Sequence, residues 1–164
     1  ALVLGCGGAR VAMPPIPDAL KPPADQALIL EAHATGVQIY ECKPSKDDPA
    51  KFEWALTGPE ADLSDAGGKA IGKHYAGPTW ETADGSKVVG EVKARDPGPD
   101  PTSIPWLMLT AKSTSGTGPL AKTATILRLK TQGGKAAPEG CSQTQAGSET
   151  RVPYRATYYF YGLK

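Results

Sequence analysis

The sequence predicts an all-β chain, either an antiparallel β-sandwich or a closed barrel of about seven to nine strands, behind a Pro-rich N-terminal tail. Three observations carry this. Glycine (19 residues) and proline (16 residues) are more frequent than their ordinary combined share of roughly 12%, which cuts the chain into many short segments separated by turns. Apolar and polar residues alternate along several of those segments, the period of a half-buried strand. No segment carries apolar residues at the spacing of a helical stripe.

Residues 1–25 hold five prolines and little periodicity, and read as an apolar, Pro-rich leader and linker. A single β-domain then spans 26–164. It opens with "QALILEAHA" and "GVQIYECK", separated by Thr35-Gly36 as a strand–turn–strand start. In "KFEWALT", Phe52, Trp54 and Leu56 alternate with Glu53 and Ala55, which predicts one buried face. "LSDAGGKAIG" and "TADGSK" each place an Asp shortly before Gly, a turn chemistry that tolerates positive φ. "KVVGEVKA" alternates around Gly90, a candidate bulge. "RDPGPDPTSIP", with four prolines, is loop, and "WLMLTAKS" reads as a fully buried strand. In "ATILRLKT", Leu127 and Leu129 face one way, Arg128 and Lys130 the other. The last run puts Val152, Tyr154, Ala156, Tyr158 and Phe160 on one face. Tyr159 and Tyr161 fall on the opposite face, either as exposed aromatic contacts or as the second side of a strand buried twice.

With 18 basic against 17 acidic residues, the net charge is +1, and no basic cluster would draw the chain to nucleic acid. No stretch reaches the roughly 20 apolar residues of a membrane-spanning helix. The start, "ALVLGCGGA", resembles a bacterial lipoprotein processing site. Cys6 is therefore a candidate lipid anchor, with "MPPIPDALKPPAD" as a stiff spacer. Cys6, Cys42 and Cys141 allow three pairings, among which the sequence does not choose. In an exported chain a Cys42–Cys141 bond, closing a loop of ~100 residues, is the favoured one.

Chemistry concentrates in "GKHYAGPTWETADGS", residues 72–86. Bends at Gly77-Pro78 and Asp84-Gly85 would gather His74, Tyr75, Trp80 and Glu81 on a rim loop or short strand, and such loops are where sites commonly sit. His33 joins them as a ligand-binding candidate, with Tyr40 and Trp106 as helpers. The structural alternative makes Tyr75 and Trp80 a plug for the core, with Glu81 and Asp84 satisfying backbone donors. Glu81 and Asp84 are the candidate catalytic groups. A glycoside hydrolase would take two carboxyls from Glu60, Asp62, Glu81 and Asp84. His33 and His74 stand far apart, and no H-x-H, H-x-x-x-H or C-x-x-C occurs, so no metal site is assigned. Neither G-x-S-x-G nor a nucleotide-binding glycine motif is present, so no cofactor is assigned.

"HATGVQIYECK", the block from "FEWALTGPEADLSD" through "GKHYAGPTWETADGSKVVGEV", "SIPWLMLTAKS" and "VPYRATYYFY" together resemble the uncharacterised secreted proteins gathered as the domain of unknown function 3455 family. The resemblance covers about residues 26 to 162, and H-Y-x-G-P-T-W-E is its most specific part. It implies export, and it places Cys42 and Cys141 where bacterial members carry cysteines, which supports their pairing. It supplies no mechanism. The expectation is an exported or envelope-associated module, secreted or periplasmic, that binds a small molecule, glycan or protein without catalysis. The alternatives are an extracellular hydrolase using Glu81 and a second carboxylate, and a structural or self-assembling subunit.

Overall fold

In the computed structural model, which describes residues 13–164, the chain forms eight strands and no α-helix among the described residues. Cys6 lies outside the described residues. The strands are β1 (Gln26–Pro44), β2 (Phe52–Ser64), β3 (Ala70–Tyr75), β4 (Thr79–Thr82), β5 (Lys87–Asp96), β6 (Trp106–Ser115), β7 (Thr125–Gly133) and β8 (Glu149–Leu163). Each pairs antiparallel with the next, and β1 also pairs with β8, so one sheet closes in a ring. Closure leaves no free edge strand. The alternation along the strands did not distinguish this single ring from two packed sheets, because both need the same period.

Inside the ring sit Ala34, Leu63, Trp80, Val88, Leu109, Ile126, Tyr158 and Phe160. One end is stopped by Leu120, which a 3-10 turn (Pro119–Lys122) carries between β6 and β7 and which is fully buried in this core. Its backbone N–H donates to Ser86 Oγ at 3.3 Å. Asp84 organises the adjacent turn, accepting from the Ser86 N–H at 2.9 Å and from Thr82 Oγ1 at 2.6 Å. The Asp-Gly chemistry read from the sequence is realised there, with Gly85 at φ 88°. Those bonds hold the Asp84 carboxyl below the usual range, the Thr82 hydroxyl contributing most.

Several local expectations change. Thr35-Gly36 is no turn: β1 runs through it unbroken for 19 residues. Gly36 is needed for close approach, since a Cβ there would lie 2.1 Å from Glu60 O on β2. Gly90 does mark a bulge, where the β5–β6 register shifts. A Cβ on it would meet Trp80 Cζ3 at 2.9 Å, so the missing side chain makes room for the indole. Phe52 and Trp54 are only partly buried and Leu56 is 58% exposed. "WLMLTAKS" is buried at its start only: Lys112 and the residues after it are exposed.

The largest departure concerns the outer face. Trp106, Leu127, Leu129, Tyr159 and Tyr161 form a second apolar cluster, distinct from the interior. Met13, Ile16 and Leu20 of the Pro-rich segment pack on it. Residues 13–25, read as linker, thus cover the outer side of β6, β7 and β8. Tyr159 and Tyr161 are accordingly buried, and β8 is covered on both faces. The same covering decides which face of β7 is which: its leucines point out, under the segment, while Arg128 takes the interior side next to Ile126 in the inner cluster. Leu20 is fully buried. Leu20→Ala should cost about 2–3 kcal/mol, as for a buried leucine in a site that partly collapses, read as a lowered urea midpoint at constant m-value.

Candidate functional site

The stretch 72–86 is a tight hairpin within the sheet, not a rim loop. β3 and β4 pair with His74 opposite Trp80, Tyr75 opposite Thr79 and Lys73 opposite Glu81. Pleating sends alternate residues to opposite sides, so the hairpin divides the residues that the sequence grouped. His74 and Trp80 point into the ring, at 3% and 1% exposure. Tyr75 and Glu81 face out, where the Tyr75 hydroxyl lies 3.4 Å from Glu81 Oε1 and Lys87 Nζ pairs with Glu81 at 3.3 Å. His33 is also outside, its Nε2 3.6 Å from Glu31. Trp106 lies in the outer cluster beneath the Pro-rich segment. Tyr40 is buried and donates its hydroxyl to Gly134 O. Glu60 pairs with Arg151, and Asp62 with Lys73.

The inward pair is tightly built. The imidazole of His74 stacks on the indole of Trp80, centroids 4.4 Å apart and planes 15° from parallel. Tyr158 stands edge-on to that indole at 5.3 Å. His74 Nδ1 is 2.8 Å from Thr79 O, and because a carbonyl only accepts, Nδ1 carries the proton. Nε2 must then accept from the Tyr158 hydroxyl at 3.2 Å. Tyr158 has no second proton, so Tyr154 donates to Tyr158 across 3.2 Å. The wiring is Tyr154, Tyr158, His74, Thr79, and every direction in it is set by the terminal carbonyl. Burial holds the His74 pKa down at about 3, opposed by the bond to Thr79 O and aided by the positive charge of Arg128. Burial likewise raises both tyrosines. The network is neutral at physiological pH.

Above this layer the ring is open. A cavity of about 300 Å³ has His74, Trp80 and Tyr158 in its lining. Its walls are Gln38 of β1, Leu107 and Leu109 of β6, and Arg128 of β7. Leu56 to Pro59, Gly77-Pro78, Val92 and Arg95 make the rim. This is the end opposite the Leu120 plug, because it holds the last residues of β5 and the first of β6. Gln38 and Trp80 line the cavity at 2% and 1% exposure, and Gln38 Oε1 and Trp80 Nε1 are buried atoms with no hydrogen-bond partner among the described residues. A buried polar atom without a partner loses its bond to water uncompensated. No Asp or Glu is among the lining residues.

The family described as "Protein of unknown function (DUF3455)" matches residues 23–162, which include every strand but the last residue of β8. The chain belongs to this family. No curated protein and no solved structure matches it. The DUF3455 match thus covers hairpin, cavity and disulfide together, and also the end of the Pro-rich segment. Cys42 and Cys141 are bonded, their Cα atoms 6.1 Å apart, tying the far end of β1 to the loop before β8.

The sequence reading picked out two of the cavity residues, His74 and Trp80, and missed Gln38, Arg95 and Arg128. An arginine opposite leucines on an alternating strand ordinarily marks the solvent side. Only the outer covering by residues 13–20 makes it the interior side, and that covering is a tertiary fact.

Proposed function

We propose that this DUF3455 chain is an exported, non-catalytic binding module that takes a small molecule into the open mouth of its ring, above the stacked His74 and Trp80. One observation supports this most: an open cavity of about 300 Å³ whose lining joins the aromatic His74, Trp80 and Tyr158 to the polar Gln38, Arg95 and Arg128. Ligand sites of this size combine mostly apolar walls with a few fixed polar groups, and a closed sheet supplies them without rearrangement. The Cys42–Cys141 bond fits residence outside the reducing cytosol, in the secreted or periplasmic setting that the family resemblance implies. A hydrolase acting through Glu81 has less support, since Glu81 is held on the outer side by Lys87 and Tyr75.

The test is a small-molecule screen against the 15N-labelled chain. A ligand of the mouth should move the indole N–H resonance of Trp80 and the side-chain amide of Gln38. Ligands that perturb only Tyr75, Glu81 and their outer neighbours would refute the placement.

A further inference from the structure

The cavity's charge is lopsided in a way that names the chemistry of its occupant. Arg95 pairs in register with Leu107, and Leu107 pairs with Arg128. The three residues form one row across β5, β6 and β7. Leu107 belongs to the inner cluster, so its direct neighbours on either side also face inward. The register shift between Val92 and Ala94 is what brings Arg95 to that side, while Ala94 packs in the outer cluster. Both arginines accordingly line the mouth. With neighbouring strands ~4.8 Å apart, their backbones are separated by roughly 10 Å, a span that two long side chains close around one anion.

Neither guanidinium has a carboxylate partner among the described residues. Arg128 is anchored rather than neutralised: Nε and Nη2 donate to Pro105 O at 3.1 and 2.8 Å. A carbonyl fixes the fork in place and leaves its full charge. That charge is felt at His74, Tyr154 and Tyr158, each of whose protonation Arg128 biases. Other acidic side chains of the molecule pair on the outer surface, as Glu60 with Arg151 and Glu81 with Lys87. The mouth is therefore a half-buried positive site over an apolar and aromatic floor, with Leu56 and Val92 exposed at its rim.

We infer that the ligand is a small amphipathic carboxylate, its head group held between Arg95 and Arg128 and its apolar body laid over Trp80 and Leu109. This rests on the reading of the mouth as a binding site, and adds the chemical class. A planar guanidinium pairs a carboxylate through two parallel bonds.

The experiment compares octanoate, octanol and octylammonium by titration calorimetry on the full chain, following Trp80 by its indole N–H resonance. Octanoate should bind roughly tenfold or more tighter than octanol, the effect of a charge-assisted bond, and octylammonium weakest. Arg95→Gln should remove the preference for octanoate over octanol. Lys93→Gln, on a lysine paired with Glu91 at 3.4 Å, should leave it unchanged. Because Arg95 is exposed and makes no ion pair among the described residues, folding of its variant is checked by an unshifted melting temperature. If octanoate and octanol bind equally at Trp80, the anion claim is overturned while the mouth remains a binding site. If none of the three reaches Trp80, both readings fall.

Discussion

Acidification from pH 6.5 to 3 should remove roughly 4–5 kcal/mol of folding stability through His74 alone. The folded imidazole, buried against Trp80 and locked between Thr79 O and the Tyr158 hydroxyl, resists a proton down to about pH 3. In the unfolded chain the same ring titrates near the ordinary histidine value of ~6.5. Above pH 6.5 neither state holds the proton and the contribution is complete. Between the two values only the unfolded state binds it, so mass action favours unfolding by about 1.4 kcal/mol per pH unit. Below pH 3 both states are protonated and the loss is over. Domains of this kind have ~5–15 kcal/mol in all, so the acid limb is large enough to approach unfolding. Urea titrations at pH 7, 6, 5 and 4 read it directly. His74→Gln, which cannot take up a proton, should be less stable at pH 7 yet show a shallower slope. Parallel slopes for the two proteins would show that His74 is not the group responsible.

Opening the Cys42–Cys141 bond should cost about 4 kcal/mol, the second largest effect. The bond closes a loop of 99 residues in sequence, and loop-closure entropy for such a span is ~4.7 kcal/mol before native strain is counted. Backbone hydrogen bonds flank the crosslink. Cys42 N–H donates to Ser148 O at 2.9 Å, Gly147 N–H donates to Cys42 O at 2.9 Å, and Cys141 N–H donates to Phe52 O at 3.3 Å. The crosslink therefore seals the loop before β8 onto the β1–β2 end. The double variant Cys42→Ala/Cys141→Ala should melt lower by roughly 10 °C or more, at about 2–4 °C per kcal/mol for a chain this size. Peptide mapping under non-reducing conditions checks the linkage itself. A drop of only a degree or two would mean the loop is held by its backbone bonds alone.

The two effects differ in origin, one a titratable ring held out of water and the other a constraint on the unfolded chain. His74 and Trp80 were legible as special because histidine and tryptophan are scarce and fall together between two turn signals. Their direction was not, since the sequence grouped all four, and the strand pairing sends His74 and Trp80 to one face and Tyr75 and Glu81 to the other. What separates a rim loop from such a hairpin is pairing with β2 and β5, and pairing partners distant in sequence leave no local trace.

By itself the sequence determined the all-β class, the Asp-Gly turns, the bulge at Gly90, the inner face of β8 and the family. These follow from rules acting over two to five residues, namely backbone sterics at glycine and proline and the two-residue pleat. Only the tertiary structure decided that the sheet closes, that Met13 to Leu20 cover its outer side and leave Arg128 on the inner one, and that a register shift in β5 turns Arg95 to the same mouth. Burial is a property of what lies opposite a side chain, and in a ring that neighbour is supplied by strands far along the chain.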